Sequence, residues 1–375
     1  MMERPAFLTG LTRFQMRLIE VCRSLAADDR VFVSVADILR VIAVHDWGMD
    51  EEGFEEECEE LGSEVRPIDA YDEETVGYAY RTLLNMGLPW RNRYPYFDLS
   101  GMMGDFHDEV PFGPESVETR LTQNTHILFP LQKKPLLPVA LLNGVTLSDG
   151  AEVPPHHVEE LWMAMEQVRQ DPDVALDDLM EILPGPDFGA GGVVGGFEAI
   201  RALYEKGEGV LTLRGKIETI IDGGRTRIEI QSLPHGILIN AILRQIRALK
   251  DSGRLPAFLL KDYSEGKTPR IVMDMPPEIS VDALKTILYQ ETDLERSVYF
   301  RCGFQDDHGW TVEGPLIAVL KEAVAQCPSG WKQKNGNAIA FVPFFREIMR
   351  HGGYKNPLSK LSDERKTAVT KMVSL

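Results

Sequence analysis

The spacing of apolar residues changes along this chain, and that change limits the fold more than any other feature. Leu11, Phe14, Leu18, Val21 and Leu25 fall on one helical face, and the same spacing returns over 31–44, after Asp28-Asp29-Arg30. Further helices are expected at 75–86, 157–169, 174–183 and 197–206. Period two appears later, in the runs 210–214 and 227–230, with Asp222-Gly223-Gly224 between them reading as a hairpin turn. Residues 237–250 then read as an amphipathic helix, 270–275 as a strand and 281–289 as a helix. The strand-strand-helix-strand-helix order predicts an α+β fold with a sheet covered on one side.

A chain of 375 residues, 43% hydrophobic and 26% charged, has the composition of a folded globular protein and room for two or three domains. Between residues 130 and 150 it becomes rich in Pro and Leu, which sets an expected boundary near 128. No run approaches the roughly 18 apolar residues of a membrane span. The opening Met1-Met2-Glu3-Arg4-Pro5 does not read as a signal peptide, so a cytoplasmic protein without membrane contact is expected. Cys22, Cys58, Cys302 and Cys327 lie far apart, without the spacing of a zinc site or a disulfide framework, and read as reduced thiols. The 58 acids against 40 Lys and Arg leave a formal charge of −18, a handicap for any protein that holds duplex DNA by its phosphates.

Local motifs read as structural. The acid run Asp50, Glu51, Glu52, Glu55, Glu56, Glu57, Glu59 and Glu60 keeps Phe54, Cys58 and Leu61 on one helical face, as a solvated helix does. The glycines at 189–196 do not fit a dinucleotide loop, because Val194 stands where glycine is needed and no strand leads in; a turn with close backbone approach is expected instead. His156-His157 follows two prolines, lacks a second ligand cluster and reads as structural. His45, Asp46, Asp105, His107, Asp108 and Glu109 offer imidazoles and carboxylates with nothing in the sequence to unite them, so no metal site is expected.

A series of phrases nonetheless points to one family. Gly10-Leu11-Thr12-Arg13-Phe14-Gln15-Met16-Arg17 resembles G-L-K-P-V-Q-R-R, Arg93-Tyr94-Pro95 resembles R-Y-P, and residues 98–104 resemble D-G-Q-G-N-F-G. Glu118-Thr119-Arg120-Leu121 fits E-x-R-L, Leu141-Leu142-Asn143-Gly144 fits L-L-V-N-G, and Val153-Pro154-Pro155-His156 fits I-P-P-H. Gly185-Pro186-Asp187-Phe188 is the densest match, followed by Tyr204 to Gly209, Leu213-Arg214, Ser232-Leu233-Pro234-His235 in place of E-I-P-Y, and Leu288 to Leu294 in place of L-Y-S-Q-T-Q-L. In this order they resemble the breakage-reunion core of the A subunit of type IIA DNA topoisomerases, the gyrase and topoisomerase IV family. The resemblance implies a winged-helix domain at 9–128, an α/β tower domain at 129–308, and at 309–375 a short region of unassigned role. Pro315, Pro328, Gly330, Gly336, Gly352, Gly353 and Pro357 there break any sustained heptad, so no full coiled-coil gate is expected.

The family chemistry is expected to fail at its centre. The resemblance implies a tyrosine that attacks a DNA phosphodiester, flanked by an arginine and a histidine, with no cofactor on this chain and with Mg2+ and ATP held by the partner B subunit. Ungapped counting from Asp98 and from Arg120 puts Ser116 at the tyrosine position and Glu115 at the arginine. The H-P-H-G-D phrase falls on Asp72-Glu73-Glu74-Thr75-Val76, so Asp72 and Glu74 replace both histidines, and the basic recognition helix falls near residues 58–62. Tyr94 and Tyr96 belong to the R-Y-P phrase and are not expected to stand in. DNA-facing roles are implied for Arg13, Arg17, Arg93 and Arg120, with Val145 near the family's wedge isoleucine.

Two readings follow. One keeps the family role, a component that binds DNA and a B subunit during ATP-dependent topology change, here without strand cleavage. The other is a non-catalytic paralogue whose acidic face mimics DNA or engages a partner protein as a regulator. With acids at the shared contact, a weak homodimer or a monomer is expected.

Overall fold

The computed structural model describes residues 11, 13–63, 71–108, 111–128, 138–146, 151–189, 191–222, 225–255, 258–266, 268–275, 280–305 and 311–326. Helix α1 (Arg13–Leu25) buries Leu18, Ile19, Val21 and Cys22, as its spacing predicts. The second helical run is realised differently. Val33–Ser34 is a short strand, β1, before α2 (Val35–Arg40), and the chain continues as a π-helical turn, Val41–Asp46, closed by Trp47 N donating to Ile42 O at 3.1 Å. The extended start pairs with a later strand, a tertiary contact that helical periodicity does not encode.

The acid run forms α3 (Glu51–Ser63), with Phe54 and Leu61 buried and Cys58 half-buried. Thr75 caps α4 (Val76–Gly87): its hydroxyl accepts from Tyr78 N at 3.2 Å, and nearly every residue of the helix is buried. Strands β2 (Phe97–Gly101) and β3 (Val117–Leu121) pair antiparallel, completing a three-stranded sheet of order β1-β3-β2.

After α5 (Gln123–Leu128) and α6 (Val139–Asn143) come β4 (Val145–Thr146), β5 (Glu152–Val153), α7 (Val158–Gln170), α8 (Leu176–Met180), β6 (Val193–Gly195), α9 (Phe197–Lys206) and β7 (Glu208–Arg214). The hairpin expected between 210–214 and 227–230 is corrected here. The partner of β9 (Arg225–Ile230) is β8 (Ile217–Asp222), and the turn glycines 223 and 224 lie outside the described residues. β7 instead occupies a five-stranded sheet of order β4-β5-β12-β7-β6, paired over its whole length with β12 (Glu295–Arg301).

Strands β8 and β9 join β10 (Leu259–Asp262) and β11 (Ile271–Met275) in an antiparallel sheet of order β10-β11-β9-β8. Ile228, Ile230, Ile271 and Met273 of this sheet share a buried cluster with Ile239, Ile242 and Ile246 of α10 (Ile239–Asp251) and with Leu284 and Leu288 of α11 (Val281–Glu291), the one-sided cover the sequence predicts. The chain continues through β13 (Gly303–Gln305), β14 (Thr311–Glu313) and α12 (Leu316–Gln326).

The larger core crosses the positions 128 and 308. It takes in Leu18 and Tyr80, Leu161 and Tyr204, and Leu316 and Leu320 of α12. Polar contacts hold the same seam: the Asn143 side chain accepts from Tyr94 N at 2.6 Å and donates to Tyr94 O at 2.8 Å, and the Tyr94 hydroxyl accepts from Val158 N at 2.9 Å. Close backbone approach at the glycine cluster is realised: a Cβ on Gly192 would lie 3.1 Å from Leu233 O. Cys22 and Cys302 are 0% and 1% exposed, and burial pushes both thiols up to about 12.

Candidate functional site

Ser116 closes a single 3-10 turn, Pro114–Ser116, at the entry to β3. Its amide donates to Gly113 O and its carbonyl accepts from Met102 N, both at 3.0 Å. Across the strand pair, Gly101 has φ +95°, and a Cβ built on it would stand 2.3 Å from Ser116 O, so only glycine fits there. The backbone at Ser116 is therefore firmly held. Ser116 is half-buried, and among the described residues no base or guanidinium hydrogen-bonds its hydroxyl.

The surroundings combine acids and apolar groups with two cations, since Arg40 acts on the Cys58 thiol and Arg81 on the Tyr80 hydroxyl. Glu115 is exposed beside it and faces α3 and α4. Burial first, then the Glu115 charge, pushes the Cys58 thiol up to about 12. Burial also raises Tyr80, whose hydroxyl donates to Phe112 O at 2.5 Å. Asp72, Glu73 and Glu74 form an exposed loop before α4, and Glu74 has a positive φ of 67°. Glu57 of α3 accepts from Val76 N at 2.8 Å, placing an acid at the positive end of α4. This structural task is not legible in the acid run.

The tyrosines nearby are enclosed. Tyr94 and Tyr96 are 3% and 4% exposed, and burial raises the Tyr96 hydroxyl. Tyr80, at 1% exposure, is equally enclosed.

The arginines expected to face DNA do not converge. Arg17 forks onto Asp46 at 2.7 and 2.9 Å. Arg93 grips Asp187 at 2.6 and 2.8 Å, tying the R-Y-P phrase to the G-P-D-F phrase. Arg120 pairs with Asp98 across the β2-β3 ladder at 2.7 Å and lies over Phe32. Arg13 is exposed at the start of α1, and Val145 is half-buried in β4 against the main core.

His156 is structural, as expected. Fully buried, it sits between Leu141 O at 2.9 Å and the Tyr204 hydroxyl at 3.0 Å, and burial lowers it from 6.5 to about 4. The unfolded chain protonates this imidazole below about pH 6.5, whereas the folded chain resists until about pH 4. The contribution is thus complete above about 6.5 and is lost as pH falls toward 4. Urea unfolding at about pH 7.5 and about pH 5 should differ by about 2 kcal/mol from this residue.

Among the described residues no group of three His, Cys, Asp or Glu side chains could hold a metal. The fold does unite part of the scattered set: His107 lies 3.2 Å from Asp105 and 2.9 Å from Asp262 of β10, while Glu109 lies outside the described residues. The chain also contains no described helix long and apolar enough to cross a membrane.

Comparison with known proteins agrees with this scaffold. The family described as the A subunit of DNA gyrase/topoisomerase IV matches residues 77–333, more than half of the chain. The chain belongs to that type IIA A-subunit family. It is 28% identical over 241 residues to the DNA gyrase A subunit of Thermotoga maritima, covering 58% of this chain and 30% of the relative. It is likewise 28% identical over 246 residues to the DNA topoisomerase 4 A subunit of Bacillus subtilis, covering 59% and 30%. To the topoisomerase 4 A subunit of Streptococcus pyogenes serotype M3 it is 23% identical over 275 residues, covering 67% and 33%. The chain thus spans about a third of these relatives' length. The family match begins just after the 72–76 loop, with α3 outside it.

Proposed function

We propose that this chain is an A-subunit-like member of the family that has lost strand cleavage. Ser116, with Glu115 beside it, carries the reading. A serine alkoxide is a poorer leaving group than a phenolate, so a phosphoserine reseals slowly, and a carboxylate opposes the charge an arginine would stabilise. In this reading α1–α4 and β1–β3 form the winged-helix-like part (9–128), and the two later sheets with their helices form the tower-like part (129–308). Mg2+ and ATP belong to a B-subunit partner, and DNA contact through Arg13, Arg17, Arg93, Arg120 and Val145 is weakened by the acidic face.

The second reading, an acidic surface that mimics DNA or engages a basic partner protein, is favoured by α3 itself. Its exposed Glu55-Glu59 and Glu52-Glu56 pairs repel at i,i+4, at ~0.2–0.5 kcal/mol each, while Glu51 is already paired with Arg40 at 2.7 Å. Its last turn holds acids and no base, against the helix dipole. A helix that carries these costs on an open face gains from a cation brought to it. Both readings share one test, covalent trapping on DNA with a family B subunit: an adduct mapped to residues 90–120 overturns the loss of cleavage.

A further inference from the structure

A single exposed apolar side chain is ordinary on a protein surface, but two large ones fixed side by side are not. Met102 and Phe112, just after β2 and just before the turn into β3, are 54% and 55% exposed. Phe112 N donates to Met102 O at 2.9 Å and Met102 N to Ser116 O at 3.0 Å, so the segments are laced together. The Tyr80 hydroxyl of α4 anchors Phe112 by donating to its carbonyl at 2.5 Å. Gly101, where only glycine fits, fixes the residue before Met102. Both side chains therefore stand in water on a backbone that has little left to order when something covers them.

The unpaired charge around them has one sign. Glu115 is exposed, and its carboxylate folds back beside Phe112, where a Cβ on Gly113 would meet it. Glu118 is exposed on β3. Helix α3 packs against the Pro114–Ser116 turn, and its Cys58 lies within the fields of both Glu115 and exposed Glu55. The two cations that act on this region do not offset these acids at the surface, because Arg40 is paired with Glu51 and Arg81 is buried.

We propose that Met102 and Phe112 anchor a basic amphipathic segment of a partner protein, with apolar side chains on one stripe and Lys or Arg beside them. The assignment rests on the acidic-surface reading of α3 and specifies its partner. A surface that only mimicked a phosphate backbone would need no apolar anchors. Duplex DNA offers neither an apolar stripe nor a cation, and a second copy of this chain brings the same acids to the contact. The thioether of Met102 reshapes to fit the incoming side chains, while the Phe112 ring fills the space between them. Carboxylates at the rim govern orientation and encounter rate, and the apolar pair supplies the part of the affinity that salt does not screen.

The test is fluorescence anisotropy with two labelled peptides of about 18 residues and equal charge, an amphipathic Lys/Leu helix and a Lys/Ser control, titrated with the full chain. Both should bind and weaken as salt rises, and the Lys/Leu probe should bind about tenfold or more tighter. Met102→Ser combined with Phe112→Ser should remove that advantage and leave the Lys/Ser affinity as it was, whereas Met102→Leu with Phe112→Leu should keep it. Equal unfolding midpoints in the natural chain and both variants confine the change to the surface. Equal affinity for the two probes, or an advantage that survives the serine pair, overturns the inference and leaves the acidic-surface reading standing. Binding of neither probe at low salt removes that reading as well. A natural chain that sediments as a dimer, with the serine pair monomeric, assigns Met102 and Phe112 to self-contact and overturns the inference too.

Discussion

Mixed with a family B subunit, ATP, Mg2+ and supercoiled DNA and then stopped with detergent, the chain yields no covalent DNA adduct, and neither does its Ser116→Tyr variant. Loss of an enzyme's nucleophile costs on the order of 10⁶ in rate, enough to remove any visible adduct. Restoring the phenol alone falls short because the electrostatic partners are missing as well. In the proposed reading Glu115 takes the place of a guanidinium, and Asp72 and Glu74 those of imidazoles. Each such charge-stabilising donor is worth roughly 10²–10³. The firmly held backbone at Gly101 and Ser116 lets the tyrosine variant fold, so its silence reports on chemistry. An adduct from the natural chain, traced to any residue between 90 and 120, sinks this account.

The second large effect is on DNA affinity. The natural chain should show no saturable binding of a random duplex at physiological salt. Converting exposed Glu55, Glu56, Glu59 and Glu60 to lysine moves the formal charge from −18 to about −10 and reverses the sign of the α3 face. The 55/59 and 56/60 pairs stay like-charged, the pairs with Glu51 and Glu52 become attractive, and Phe54 and Leu61 still anchor the helix. The variant should bind duplex DNA with Kd near the non-specific range of ~10⁻⁴–10⁻⁶ M, with a logarithmic salt slope of about −0.9 per phosphate engaged. Fluorescence anisotropy across a salt series reads both quantities. Tight, steeply salt-dependent binding by the natural chain contradicts the acidic-face argument.

The helices of this fold are legible because each buries one face, and local spacing records that: α1, α4, α7, α9, α10 and α11 stand within a few residues of where periodicity puts them. Pairings over long separations are not legible. Ile217–Asp222 lacks clean alternation, so periodicity assigns β9 the wrong partner, and the β7-β12 ladder joins residues 81 to 93 positions apart. Ser116, Glu115, Asp72 and Glu74 are singled out only by counting from family phrases. Counting does not reveal that Arg17, Arg93 and Arg120 are each occupied by a carboxylate, two of them from distant segments.

The two enclosed sulfurs, Cys22 on α1 and Cys302 at the end of β12, sit far apart in sequence within one continuous core. With thiols held protonated at neutral pH and no path from solvent, neither meets a modifying reagent until the packing around it parts. Labelling of each sulfur by a thiol reagent therefore runs on the opening rate of its own neighbourhood. The protein carries a pair of chemical clocks, and whether they keep the same time tells whether its two ends breathe as one body.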